Sequence, residues 1–306
     1  VGLRDLFRPA AVRPAPSALF DEDFQRKLDY LALVSRRLFA GRLRAERRTK
    51  KTGSGVEFAD HREYTAGDDL RYLDWKVYGR SERLLLKLFE EEEDLSIYVL
   101  LDCSASMAFG GAKFDHARKL AAALAYVGLA NLDRVALLAV STRVDKTLPS
   151  TRGKGRIFKI LDFLRGLSPS GDTALAEAAR GFAAQQRRRG IAIVVTDLYD
   201  PEGFERGINA IRYRKYEPIV VHVVDPRDAD PGARGDVTLV DVETGESREL
   251  TLTDGMVAAF RDEHARWRRE IEDFCKTRQV PYVAADVTEP FEDQVLRLFR
   301  RLAIVE

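Results

Sequence analysis

The residues best suited to chemistry lie in Asp102-Cys103-Ser104-Ala105-Ser106, directly after the apolar run Ile97-Tyr98-Val99-Leu100-Leu101. Side chains of an extended chain alternate sides with period two, so this spacing turns Asp102, Ser104 and Ser106 one way and Cys103 and Ala105 the other. One carboxylate and two hydroxyls would then converge on one spot. Hard oxygens of this kind suit Mg²⁺ or Mn²⁺, whereas zinc prefers His and Cys. Taken alone, the pentapeptide also reads as a helix-entry loop whose Ser and Asp cap backbone amides.

The elements that must position these oxygens alternate from Ile97 onward. Apolar strands are expected at 97–102, Arg134–Val140, 191–197, Pro218–Val224 and Val280–Ala285, with Arg143–Leu148 as a hairpin partner at the sheet edge. Between them, helices are expected over Phe114–Ala130, Gly155–Leu164, Ala174–Arg188, Pro201–Arg212 and Phe291–Leu302. This order is that of a mostly parallel α/β sheet with helices on both faces. The stretch Thr238–Leu252 alternates on both sides of Thr244-Gly245 and reads as an inserted hairpin. Met256, Phe260, His264, Trp267, Ile271 and Phe274 share one helical face, an aromatic stripe expected to pack, with His264 in the core or at its rim. In an open α/β sheet the ligand site lies beyond the carboxyl ends of the strands. Thr173, in the loop Ser168–Thr173, and Asp197, ending the 191–197 strand, add oxygens in that kind of place.

Composition narrows the classes. A chain of 306 residues with 45% apolar content can build one large core or two ordinary ones. Lys plus Arg number 50 and Asp plus Glu 49, so no overall field recruits nucleic acid or an acidic membrane. Cys103 and Cys275 are too few for a disulfide framework, which favours a reducing compartment. The four histidines are scattered without zinc-ligand spacing. No apolar run is long enough to span a membrane and the N-terminus lacks a signal-peptide core, so a soluble cytoplasmic protein is expected.

Upstream, residues 1–20 carry Pro9, Pro14 and Pro16 and read as a loosely ordered arm. Phe24, Leu28, Leu31, Val34 and Leu38 then form the stripe of a helix that should pack on the main body and end near Phe39. The basic run Arg42, Arg44, Arg47, Arg48, Lys50 and Lys51 lacks the GxxxxGK[ST] pattern of a phosphate loop and reads as a solvated or partner-facing patch. From Gly55 to Arg80, charges alternate with large aromatics. Such a mixture suggests buried or semi-buried ion pairs around Tyr64 and Trp75 that fix the segment to the body. A strand is expected at Leu84–Phe89, and the acids Glu90 to Asp94 could neutralise the basic run or stay solvated.

Asp102, Ser104, Ser106, Thr173 and Asp197 together resemble the metal-ion-dependent adhesion site of von Willebrand factor A domains, DxSxS with a distant Thr and Asp. Gly55, Glu57, Phe58, Arg62, Tyr64, Gly67, Asp68, Arg71, Asp74, Trp75 and Arg80, with the hairpin Glu243-Thr244-Gly245-Glu246, resemble domain-of-unknown-function family 58. These are bacterial von Willebrand A-like proteins often encoded beside MoxR-type AAA+ ATPases, and the likeness spans about residues 20 to 306. It implies a Rossmann-like von Willebrand factor A domain over 96–306 with an inserted hairpin at about 236–252, and an N-terminal helix and strand extension over 1–95. By the same resemblance, the five oxygens hold Mg²⁺ or Mn²⁺, and a partner's Asp or Glu completes the ion. The protein would then be an interaction module rather than an enzyme, and its partner a MoxR-type ATPase or that ATPase's client. No nucleic acid is expected. One departure is Asp172, where small residues are more usual; its carboxylate would either tighten cation binding or repel an acidic ligand. The competing readings are a plain structural domain and a Mg²⁺-dependent hydrolase or phosphatase. Against the enzyme, no second carboxylate follows Asp102, and no His or Lys near these motifs is an obvious general base.

Overall fold

A computed structural model describes residues 19–39, 48–52, 57–92, 95–230, 232–241 and 247–304. Gly55, the hairpin turn 242–246, the proline-bearing arm up to residue 18 and the basic positions 42–47 lie outside them. Elements are numbered along the chain. Helix α1 (Glu22–Phe39) starts where Asp21 Oδ1 accepts from Phe24 N at 2.8 Å, with Glu22 and Asp23 in its first turn, where carboxylates favour the helix dipole. Strands β1 (Arg48–Thr52), β2 (Glu57–Glu63) and β3 (Leu85–Glu92) form a separate antiparallel sheet in the order β1-β3-β2, with helix α2 (Trp75–Ser81) between β2 and β3. The β1–β3 register sets Arg48 opposite Glu92 and Lys50 opposite Glu90. This pairing carries β3 past Phe89, where the strand was expected to end, and makes the end of the basic run a strand.

The main sheet has six strands in the order β11-β8-β7-β4-β5-β6. At its centre β4 (Ser96–Asp102) is buried at all seven positions and lies parallel to both β5 (Arg134–Val140) and β7 (Ile191–Thr196). Strand β6 (Val144–Thr151) closes one edge antiparallel to β5, as expected. Strands β8 (Glu217–Val224) and β11 (Tyr282–Asp286) extend the other side in parallel. A strand covered on both faces needs a continuous apolar run, and β4 divides its side chains accordingly. Ile97, Val99 and Leu101 join one core with α3 (Lys113–Ala130), α4 (Ile157–Arg165) and part of the C-terminal helix. Tyr98 and Leu100 join the other, with α5 (Leu175–Gln185), α6 (Phe204–Tyr213) and α7 (Asp254–Thr277). The C-terminal helix is α8 (Phe291–Ile304).

Helix α1 belongs to the first of these cores. Phe24, Leu28 and Leu31 are buried there, the Phe24 ring lies 5.0 Å from that of Phe291, and Arg36 Nη2 donates to the carbonyl of Ala130 at 2.7 Å. The β9 (Gly235–Val240) and β10 (Ser247–Leu252) strands pair with each other as the expected hairpin. Helix α7 departs from expectation. Ile271 and Phe274 are buried, but Met256 and Phe260 are about half exposed, because the early turns of the helix flank an open cleft rather than the core. Among the described residues no helix is long and apolar enough to cross a membrane.

Candidate metal centre

Strands β4 and β7 are neighbours with Leu101 opposite Val195, so their carboxyl ends deliver Asp102 and Thr196-Asp197 to one place. Asp102 is held by donors on both oxygens: Ser104 N at 2.9 Å to Oδ1 and the Thr196 hydroxyl at 2.6 Å to Oδ2. The extended alternation stops at Ser104. Ala105–Ala108 forms a 3₁₀ turn, and the Ser104 and Ser106 hydroxyls meet at 2.9 Å because the turn folds Ser106 back, not because a strand continues. The Ser106 hydroxyl also helps to draw the Asp197 carboxyl down, while Cys103 faces away with its thiol toward the Leu101 carbonyl. Asp102, Ser104, Ser106 and Asp197 thus form one chain of buried oxygens.

The Thr173 loop is stitched to the pentapeptide by backbone. Ser170 N donates to the Cys103 carbonyl at 2.7 Å, and Ala105 N donates to the Gly171 carbonyl at 2.8 Å. Gly171 takes φ +80°, a left-handed conformation that glycine adopts without steric cost. Thr173 is buried at this end of the sheet, whereas the preceding Asp172 is exposed.

One cation already sits among these groups. Lys113, the first residue of α3, is wholly buried, and its ammonium donates to Asp197 Oδ2 at 3.2 Å and to Asp228 Oδ1 at 3.0 Å. It lies 5.7 Å from the ring centroid of Phe109 and 5.3 Å from that of Tyr199, a cation–π setting. Asp228 belongs to the turn Pro226–Ala229 after β8, where Asp225 caps the backbone and pairs with Arg227 at 2.5 Å. Asp197 and Asp228 therefore share a single ammonium. Burial, followed by the charge of Asp197, pushes the Asp102 carboxyl above the ordinary carboxylate range. Burial also raises Asp197, against the opposing pull of Lys113. Uncompensated carboxylates in a low-dielectric pocket are costly, and hydroxyl and carboxylate oxygens are the donor set of a hard divalent ion. The residues fit such an ion. Lys113 and Asp228 escaped the sequence reading; the one usable signal was a lysine in the first turn of a helix, where a cation opposes the helix dipole.

A cleft of about 660 Å³ opens beside the cluster, lined by Ser106, Phe109, Lys113, Tyr199, Leu239 and Phe260 among others. A larger cavity of about 840 Å³ lies at the opposite end of the sheet, where Ile97, Ile191 and Pro218 begin their strands, away from these oxygens.

The polar side chains of the 57–80 segment pair with one another and with β3. Arg62 pairs with Asp68 at 2.8 Å, and Asp68 also holds Thr65 through its amide and hydroxyl, around a turn in which Gly67 has φ +106°. Arg71 folds back onto Asp69 at 2.6 Å. Asp74 caps α2 through Lys76 N and Val77 N and pairs with His61 Nε2 at 3.0 Å and with Lys87 at 3.7 Å. Buried or semi-buried ion pairs were expected around Tyr64 and Trp75; the buried Asp74 carboxylate beside Trp75 is paired and Tyr64 is half-buried, but Trp75 itself is 63% exposed, edge-on to Tyr78. The cap on Asp74 explains this. It fixes Trp75 as the first helical residue, while the buried contact to β3 is made by Leu73 and Leu86. Glu57 lies in β2, Phe58 is exposed with its ring 4.8 Å from His61, and Arg80 is exposed.

His61 foremost, then the helix amides and Lys87, hold the Asp74 carboxyl down at about 2. A carboxyl depressed in the folded state stabilises fully above its unfolded pKa of about 4, and this contribution is lost as pH falls toward about 2. Thermal melts between pH 5 and 2 should therefore show a shallower acid loss for Asp74→Asn than for wild type. Parallel curves would remove Asp74 from the account.

The chain matches the model of a family described as a protein of unknown function, DUF58, over residues 60–272. Uncharacterized proteins of Mycobacterium tuberculosis and Mycobacterium bovis are 30% identical over 268 residues, covering 84% of this chain and 83% of theirs. Among solved structures, it is similar to the conserved hypothetical protein BatB of Bacteroides thetaiotaomicron, at 17% identity and TM-score 0.44, covering 69% of this chain and 98% of BatB. It is also similar to an aerotolerance-related membrane protein of Bacteroides fragilis, at 18% identity and TM-score 0.40, covering 68% of this chain and 99% of that one. With the family model running from within β2 through the oxygen cluster to most of α7, the chain belongs to the DUF58 family.

Proposed function

We propose that this chain is a metal-dependent protein–protein interaction module, a von Willebrand factor A-like domain in which Asp102, Ser104, Ser106, Thr173 and Asp197 hold Mg²⁺ or Mn²⁺. The observation that carries the reading is the run of buried oxygens from Asp102 through the Ser104 and Ser106 hydroxyls, 2.9 Å apart, to Asp197. A bound ion of this class keeps open positions that a carboxylate from another protein can fill. The chain's own residues prepare that encounter. Ser104 N and Thr196 fix the orientation of Asp102, the backbone stitching from Cys103 and Ala105 anchors the Thr173 loop, and the cleft lets a partner reach Ser106. The geometry favours binding over hydrolysis, because Lys113, the basic group nearest the cluster, spends its protons on Asp197 and Asp228 and offers no free lone pair to a water.

The partner class proposed is a MoxR-type AAA+ ATPase or the client it remodels. With the ATPase of the same genome immobilised, the wild-type chain should bind in Mg²⁺ and dissociate in EDTA, and Ser106→Ala should bind more weakly. Equal binding in EDTA would contradict the reading.

A further inference from the structure

The group that the metal reading leaves unexplained is the buried Lys113 ammonium. Its Nζ stands 3.2 Å from Asp197 and 3.0 Å from Asp228, nearly equidistant between two carboxylates from different loops. Asp197 follows β7 beside Asp102 and feels the Ser106 hydroxyl, so it belongs to the oxygen cluster, whereas Asp228 lies on the turn after β8 and is joined to Asp197 through the lysine. We infer that Lys113 is a built-in competitor for the cation at Asp197, and that Asp228 is the second seat that draws its ammonium away and so sets the affinity of the site. This rests on the metal reading.

A divalent ion and an ammonium that share one carboxylate repel each other strongly in a buried site, where water screens them little. The lysine needs no large movement to relieve this, because its second partner is already within hydrogen-bond distance. The rings of Phe109 and Tyr199 keep the ammonium on this track between the two carboxylates. Asp228 thus governs how readily Asp197 is released, although it is not itself among the oxygens that hold the ion.

Two substitutions on the same ion pair then act in opposite directions. Lys113→Met removes the competitor and leaves the cluster more negative, so Mn²⁺ should bind at least about tenfold more tightly. Asp228→Asn leaves the ammonium to Asp197 alone, so Mn²⁺ should bind at least about tenfold more weakly. A lysine that only braced the fold would move both variants the same way, since each breaks the same buried pair.

The test is a titration of Mn²⁺, followed by the paramagnetic signal of the free ion, against wild type, Asp102→Asn, Lys113→Met and Asp228→Asn. Circular dichroism melts in EDTA and in Mn²⁺ accompany it. Tighter binding by Lys113→Met with weaker binding by Asp228→Asn supports the inference. Shifts of both in one direction, or none in either, with binding still dependent on Asp102, overturn it alone. Binding that is absent, or indifferent to Asp102→Asn, overturns the metal reading beneath it. If Lys113→Met folds only in Mn²⁺, the inference is supported. If it folds in neither condition, Asp228→Asn decides: weakened binding supports the inference, and unchanged or tighter binding overturns it.

Discussion

Replacing Asp102 by Asn is expected to raise the thermal stability of the protein in EDTA while removing its response to Mg²⁺. Asp102 is 2% exposed, and its charge lies close to that of Asp197 with no cation of its own. Asn keeps the acceptor for Ser104 N. The Thr196 hydroxyl, which already accepts from Leu198 N at 3.0 Å, can turn to accept from the new amide. Removing a buried, uncompensated charge with its hydrogen bonds preserved should stabilise the cation-free fold by about 1–3 kcal/mol. Wild type should in turn gain about 2.7 kcal/mol when Mg²⁺ is present at a hundred times its dissociation constant, and the variant nothing. Melting curves in EDTA and in Mg²⁺ check both halves. A variant that is less stable in EDTA, or that still responds to Mg²⁺, would contradict this account of the charge.

The second large effect concerns how the strands that carry the site are held together. A Cβ on Gly190 would stand 2.0 Å from the backbone carbonyl oxygen of Ser96 and 2.9 Å from its carbon, so no flexible side chain can give way. Gly190→Ala should therefore cost about 3 kcal/mol or more, as overpacking against backbone does when the chain must shift. Because Gly190 leads into β7 and Ser96 opens β4, the same shift should loosen the approach of Asp197 to Asp102 and weaken cation binding. Gly181, in α5, is the control: its Cβ would meet Val144 at an ordinary 3.6 Å, and Ala there should be neutral or stabilising. Urea unfolding of both variants measures the difference. Equal stability would show that the β4–β7 contact is not close enough to matter.

The main sheet was legible because its strands are buried on both faces. Positions 97–101 of β4 and 135–140 of β5 read directly as continuous apolar runs. Asp102, Ser104, Ser106, Thr173 and Asp197 were legible because they end strands or sit in the loops between elements. What could not be read depends on distance along the chain or on which way a helix turns. Lys113 and Asp228 are 115 residues apart and meet only because β8 lies beside β7. Ser106 faces Ser104 through a 3₁₀ turn, a geometry that strand periodicity does not encode. The exposure of Trp75, Met256 and Phe260 was missed for a related reason: helical spacing says which residues share a face, not whether anything covers it. His61 gave no signal as the partner of Asp74, which it meets from a neighbouring strand.

The central claim, that these oxygens hold a hard divalent cation, is tested most directly by calorimetric titration of Mg²⁺ against wild type, Ser104→Ala and Thr173→Ala. The account predicts one ion per wild-type chain and affinities at least about tenfold lower for each variant, the equivalent of about 1.4 kcal/mol per lost oxygen. Indistinguishable isotherms for the three proteins would contradict it.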